Sequence, residues 1–128
     1  MGQSREPFSL KKRLRSFSYA FAGIRNLLVY EHNFRIHVLV ALLATILGIV
    51  LHLSLWQWAV IAIAIFMVLI AEIINSAIEN LADVVSPGYN EAIKRIKDYC
   101  AAAVFLASIL AVIAGLLVFL PEILRLFQ

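Results

Sequence analysis

The sequence predicts an all-α membrane protein: an amphipathic N-terminal surface helix plus three transmembrane helices, forming one domain over residues 1–128. Three observations lead there. Hydrophobic residues fill 63% of the chain against 15% charged, and mean hydropathy is +0.94, a balance that leaves too little polar surface for a soluble domain. The apolar residues gather into three uncharged stretches, Ile36 to about Leu55, Trp56 to Ala71, and Tyr99 to Leu120. Each reaches or approaches the roughly 20 helical residues that a hydrocarbon core about 30 Å thick requires. Finally, of 11 Lys and Arg residues, seven precede the first stretch and three lie between the second and third. Basic residues collect on the cytoplasmic side, so the N-terminus is expected there.

Residues 1 to 8 carry no periodicity, and Pro7 followed by Ser9 reads as an irregular start with a helix N-cap. A surface helix is expected over about 10–30. Leu14, Phe17, Phe21, Ile24 and Leu28 recur every three or four residues, while Lys11, Lys12, Arg13 and Arg15 crowd the first turns, as in a helix lying in the membrane plane. No apolar run of adequate length directly follows these basic residues, which argues against a secretory signal peptide. Nucleic acid is excluded as a partner because the aromatics lie on the apolar face rather than on an exposed stacking platform.

Membrane helices are expected at about 34–54, 56–84 and 97–120. Ahead of the first sits the polar cluster Tyr30 to His37. Glu31 and Arg35, four apart, have two readings: an intrahelical ion pair worth about 0.3–0.5 kcal/mol, or a Glu31 that joins the carboxylates of the second span. The connection His52 to Trp58 contains no Lys or Arg, so it is non-cytoplasmic, with His52 hydrogen-bonding at the interface and Trp56 and Trp58 suited to an aromatic belt. Ser86-Pro87-Gly88-Tyr89-Asn90 is a strong turn signal leading through a short basic loop into the third span. Ala101, Ala102, Ala103 and Gly115 permit close helix contact. The single cysteine, Cys100, is read as packing, and no His or Cys cluster has zinc-ligand spacing.

Chemistry concentrates in residues 71 to 83. At about 100° per residue, Glu72, Asn75, Glu79 and Asp83 fall within a stripe roughly 80° wide on one helix face. An ionised carboxylate at the centre of a spanning helix costs roughly 2.5–3.5 kcal/mol, so a functional reading is the default for Glu72, the deepest of the four. Asp83 also fits a plain water-boundary marker. Carboxylates at two depths, a nearby Lys97 and a basic surface helix suit a metal-bound polyphosphate held beside the lipid interface, hence phosphoryl transfer. No P-loop and no protein-kinase signature is present.

The run Ala71-Glu72-Ile73-Ile74-Asn75-Ser76-Ala77-Ile78-Glu79, then Asp83, and Lys97-Asp98 before Ala101-Ala102-Ala103-Val104, with Gly23, Arg25, Glu31 and Asn33-Phe34-Arg35 upstream, resembles the signature of the small bacterial diacylglycerol kinase and undecaprenol kinase family. The resemblance covers roughly residues 10 to 120. It implies a lipid kinase that uses ATP and magnesium, built as a homotrimer with sites shared between subunits, multi-pass in the bacterial inner (cytoplasmic) membrane. By position it makes Glu72 the catalytic base and Glu31 and Glu79 the magnesium ligands. Lys12, Tyr19, Glu31, Asn75, Glu79, Asp83, Gly88, Tyr89, Asn90, Lys97 and Asp98 fall at nucleotide-binding positions, and Glu72, Arg25, Arg35 and Ala101 at lipid-substrate positions. The family often has His where Asn90 stands and can have Arg in place of Lys12. His37 replaces an acidic residue of the Gram-negative diacylglycerol kinases, and residues 33–37 and 52–54 look closer to the undecaprenol kinase branch. Undecaprenol is therefore the expected lipid alcohol ahead of diacylglycerol. The competing reading is a non-enzymatic oligomeric three-span channel whose Glu72, Glu79 and Asp83 line a cation path, or a regulatory membrane protein.

Overall fold

In the computed structural model, residues 9–128 are described, apart from the side chains of Lys11 and Lys12. The irregular start around Pro7 and the nucleotide role of Lys12 lie outside that description. The chain forms four helices: α1 (Leu10–Tyr30), α2 (His32–Val50), α3 (Leu55–Val85) and α4 (Glu91–Arg125). The last three are long and apolar enough to cross a bilayer. Together they make this an all-helical membrane protein.

Ser9 precedes α1 and its carbonyl accepts the first backbone bond, from Arg13 N–H. The aromatic and aliphatic residues of α1, among them Leu14, Phe17 and Phe21, remain exposed within the chain. A break at Glu31 then starts α2. At 19 residues and about 1.5 Å per residue, α2 spans close to one hydrocarbon thickness.

The turn between α2 and α3 is built by its caps. Leu53 N–H bonds to Gly48 O and His52 N–H to Ile49 O, at 3.1 Å each, with His52 at φ 53°. That is a Schellman ending whose left-handed residue is His rather than the more usual Gly. His52 thus serves a backbone turn, a role that interfacial hydrogen bonding does not describe. Ser54 and Gln57 form a reciprocal capping box that opens α3 and satisfies two N–H groups that a helix start would otherwise leave bare. Of the two tryptophans, Trp56 is exposed, but Trp58 packs inward beside the Leu53, Ile61 and Val118 cluster. The belt expectation fails for Trp58 because Gly48 leaves a hole for its ring.

A Cβ on Gly48 would lie 2.8 Å from Trp58 Cη2 and 3.0 Å from Leu53 Cδ1, whereas one on Gly115 would meet only Phe119, at 3.9 Å. Close approach within this chain is therefore required at Gly48 and not at Gly115. Ala101, Ala102 and Ala103 are likewise exposed within it. Alanine brings both glycine positions the same gain in helix propensity, about 1 kcal/mol, and only Gly48 adds overpacking of roughly 1–3 kcal/mol. Gly48→Ala is accordingly expected to unfold at lower temperature than Gly115→Ala in detergent micelles. Equal midpoints would reject the close contact.

Helix α3 packs chiefly along α4, less along α2, while α1 touches mainly α2. At the end where α3 begins, Gln57 Nε2 donates to Glu122 Oε1 at 2.7 Å, and Arg125 Nη1 bonds both oxygens of the same carboxylate at 3.1 Å. This ties the start of α3 to the end of α4. Two boundaries differ from expectation. Helix α4 begins at Glu91 rather than 97, because Asn90 Oδ1 accepts from Ala92 and Ile93 N–H and the pairs Glu91/Arg95 and Lys94/Asp98 continue the helix. It also runs through Pro121 to Arg125. A proline removes one ladder bond and strains a helix interior, but here only the final turn follows it.

Candidate active site on α3

From Leu55 to Glu72 the helix rises about 26 Å at 1.5 Å per residue, nearly the full thickness of the hydrocarbon. The stripe of Glu72, Asn75, Glu79 and Asp83 thus climbs from the edge of the apolar layer toward the headgroups. Helical packing buries its lower part: Glu72 retains 2% of its accessible surface, Asn75 5% and Ser76 2%. Glu79 is half-buried and Asp83 exposed.

The buried groups are cross-linked. Asn75 Nδ2 donates to Glu79 Oε1 at 3.1 Å. Asn80 Nδ2 donates to Ser76 O at 2.7 Å and, across the helix interface, to Glu31 Oε1 at 3.1 Å. Glu31 therefore reaches α3, and Arg35 turns to His32 Nδ1, 2.8 Å away, in place of an intrahelical pair with Glu31. Burial leaves one acceptor, Asn75 Oδ1, with no partner among the described residues. An orphaned buried acceptor is uncommon in folded chains and calls for a ligand or water.

The loop end is tied by ion pairs. Lys97 Nζ donates to Asp83 Oδ1, and Lys94 Nζ to Asp98 Oδ2 at 2.7 Å. Ser86 Oγ donates to Gly88 O at 3.3 Å. Tyr89 is exposed, and Asn90 is engaged as the α4 N-cap. Tyr19 and Arg25 lie exposed on α1, and Ala101 exposed on α4, without polar contact to the stripe among the described residues. The chain thus brings Glu31, Glu72, Asn75 and Glu79 into one neighbourhood and Asp83, Lys97, Lys94 and Asp98 into another. It does not gather Tyr19, Arg25 or Ala101 with them.

Three polar neighbours were not singled out as site residues by sequence reasoning. Ser76 and Asn80 adjoin the stripe, and helical periodicity with a wider window would have included them. His37 Nε2 stands 4.0 Å from Glu72 Oε2. Nothing in the sequence alone pairs those two, because the rotation of α2 against α3 decides it. An apolar groove of about 590 Å³ between α3 and α4 also borders Asn75, lined by Ala71, Ile74, Tyr99, Cys100 and Ala103 among others.

Chemically, Glu31, Glu79 and Asn75 Oδ1 are hard oxygen donors, of the kind that suits magnesium rather than zinc or copper. Among the described residues no three His, Cys, Asp or Glu side chains converge on one point. Magnesium held by one or two carboxylates with phosphate oxygens and water does not need such a cage.

Fold and cluster together define a multi-pass helical membrane protein whose second spanning helix carries a buried, hydrogen-bonded acidic site toward one membrane face. Residues 18–119 match the Prokaryotic diacylglycerol kinase family, and the chain belongs to that family. A Synechocystis protein named diacylglycerol kinase is 40% identical over 112 residues, 87% of this chain and 64% of the relative. The chain thus spans just under two thirds of that relative's length. A Bacillus subtilis protein named undecaprenol kinase is 32% identical over 114 residues, 89% of this chain and 93% of the relative. An Escherichia coli K12 diacylglycerol kinase is 33% identical over 100 residues, 78% and 82% of the two chains. A channel or a regulatory subunit is not favoured by this membership.

Proposed function

We propose that the chain is an ATP- and magnesium-dependent lipid kinase that transfers the γ-phosphate of ATP to the hydroxyl of a membrane lipid alcohol. Undecaprenol is the first acceptor to test and diacylglycerol the second. The observation that carries this is Glu72: a carboxylate almost wholly buried in a spanning helix, in a chain related to proteins named as lipid kinases. Glu72 accepts the hydroxyl proton as the lipid oxygen attacks the γ-phosphorus, and ADP leaves. Asn75 steadies Glu79 and offers its free Oδ1 to the phosphate side of the site. Glu31 and Glu79 hold magnesium, which when bound offsets phosphate charge. Lys97, with its head group on Asp83 at the end of the stripe, turns to the nucleotide.

The working form is a homotrimer with shared sites in the bacterial inner membrane. Such an assembly would bring residues such as Tyr19 and Ala101, isolated within one chain, to a neighbour's site. The test is transfer from labelled ATP, with magnesium, to undecaprenol and diacylglycerol in parallel mixed micelles, with Glu72→Gln as control. Glu72-dependent transfer to one lipid alone supports a selective kinase. Transfer to neither rejects the reading.

The basic distribution puts the N-terminus and the α3–α4 loop in the cytoplasm. In a Cys100→Ala background, Gly88→Cys is expected to resist a membrane-impermeant thiol reagent in intact cells, while Leu55→Cys reacts. The reverse pattern would invert the topology.

A further inference from the structure

We propose that His37 is a positioning residue for Glu72, holding one carboxylate oxygen so that the other faces the acceptor hydroxyl. The inference rests on the kinase reading above and adds to it a group supplied by a different helix. His37 lies in α2 and Glu72 in α3; Nε2 and Oε2 are 4.0 Å apart, and the two side chains keep 22% and 3% of their exposure. That separation lies beyond a direct hydrogen bond but within ion-pair reach. One water oxygen about 2.8 Å from each atom can also span it. Among the described residues His37 is the ion-pair-range partner of this carboxylate.

The other polar groups nearby are committed elsewhere. Asn75 Nδ2 is taken by Glu79, and Asn80 Nδ2 by Ser76 and Glu31. Glu79 and Glu31 repel the Glu72 carboxylate, whereas His37 attracts it. Without His37 the local field would turn Glu72 away from the end of the stripe where phosphate is expected. In the tautomer carrying its proton on Nε2, the imidazole offers an N–H to one oxygen and leaves the second free, the arrangement by which a base is oriented by a further group.

The surroundings strengthen the contact. His37 borders a cavity of about 410 Å³ whose walls include Ile36, Val40, Ala64 and Val68. Polar contacts among such apolar walls are stronger than in water. A His present only to fill space beside Ile36 and Val40 would be replaceable by Leu with no kinetic consequence.

The test uses the full-length protein in mixed micelles, with ATP, magnesium and whichever lipid it phosphorylates. His37→Leu is expected to lower kcat about 10- to 100-fold, a part of the 10²–10⁴ typical of a general base, with KM for ATP and lipid within about twofold. His37→Gln, whose amide can still donate, is expected to keep more than about a third of wild-type kcat. Adding His37→Leu to Glu72→Gln should cost less than about twofold further, since the two residues act as a unit. Independently of activity, the imidazole Nε2 resonance of ¹⁵N-labelled protein should move on Glu72→Gln.

If His37→Leu turns over within twofold of wild type, or its defect lies in KM alone, the positioning role falls. An unmoved Nε2 resonance also overturns it, and that reading, with His37→Gln, stays available if His37→Leu does not fold. Should Glu72→Gln itself be active, the base assignment fails and this inference with it. An inactive Glu72→Gln beside a normal His37→Leu removes the positioning role alone.

Discussion

Glu72→Gln is expected to reduce turnover by on the order of 10²- to 10⁴-fold, the usual contribution of a general base, while the protein becomes no less stable. The two side chains have the same shape, so packing around a residue with 2% exposure is preserved. The amide cannot accept the hydroxyl proton. It also removes a charge whose insertion at the centre of a span costs roughly 2.5–3.5 kcal/mol, and it ends the repulsion by Glu79 and Glu31. The only attraction lost is to His37, whose contact is long at 4.0 Å. A dead variant that melts at or above the wild-type temperature in micelles would mark the carboxylate as retained for chemistry. A near-normal rate rejects the base assignment. A large drop in melting temperature instead makes the Glu72–His37 contact a structural pair.

The spanning helices and the acidic stripe are legible in the sequence because both rest on one-dimensional signals: uninterrupted apolar length, and carboxylates where hydrocarbon disfavours them. The break between α3 and α4 is equally legible, since Ser86-Pro87-Gly88-Tyr89-Asn90 cannot continue a helix comfortably. What stays hidden is whatever depends on helix rotation. Helix α2 is apolar almost all round beyond its first turns, so periodicity does not say which face meets α3. The contacts of Glu31 with Asn80 and of His37 with Glu72 therefore emerge only from packing. The Gln57–Glu122–Arg125 tie joins residues 65 positions apart at its long step and has no local signature either. Gly48 illustrates the same limit from the other side. A glycine in an apolar helix reads as tolerated, and only the placed ring of Trp58 makes it required.

Glu79→Gln and Glu31→Gln are expected to raise the magnesium concentration needed for half-maximal transfer by about 10- to 100-fold or more. Loss of a group that merely orients a metal ligand already costs 10- to 100-fold in affinity, and a direct anionic ligand should matter at least as much. Glutamine is a cleaner substitution than alanine here. Its carbonyl can still accept from Asn75 at position 79 and from Asn80 at position 31, whereas alanine would strand a buried amide N–H at a cost of roughly 1–3 kcal/mol. The effect then reports charge and coordination instead of unfolding. Asp83→Asn is the discriminating control. Its partner is Lys97, so it should shift KM for ATP while leaving the magnesium requirement near wild type. If Glu79→Gln and Asp83→Asn change magnesium dependence equally, the stripe acts as a diffuse negative field and not as a ligand set. If neither Glu79→Gln nor Glu31→Gln changes it, both residues leave the metal site, and the orphaned Asn75 Oδ1 must be satisfied by phosphate, lipid hydroxyl or water instead.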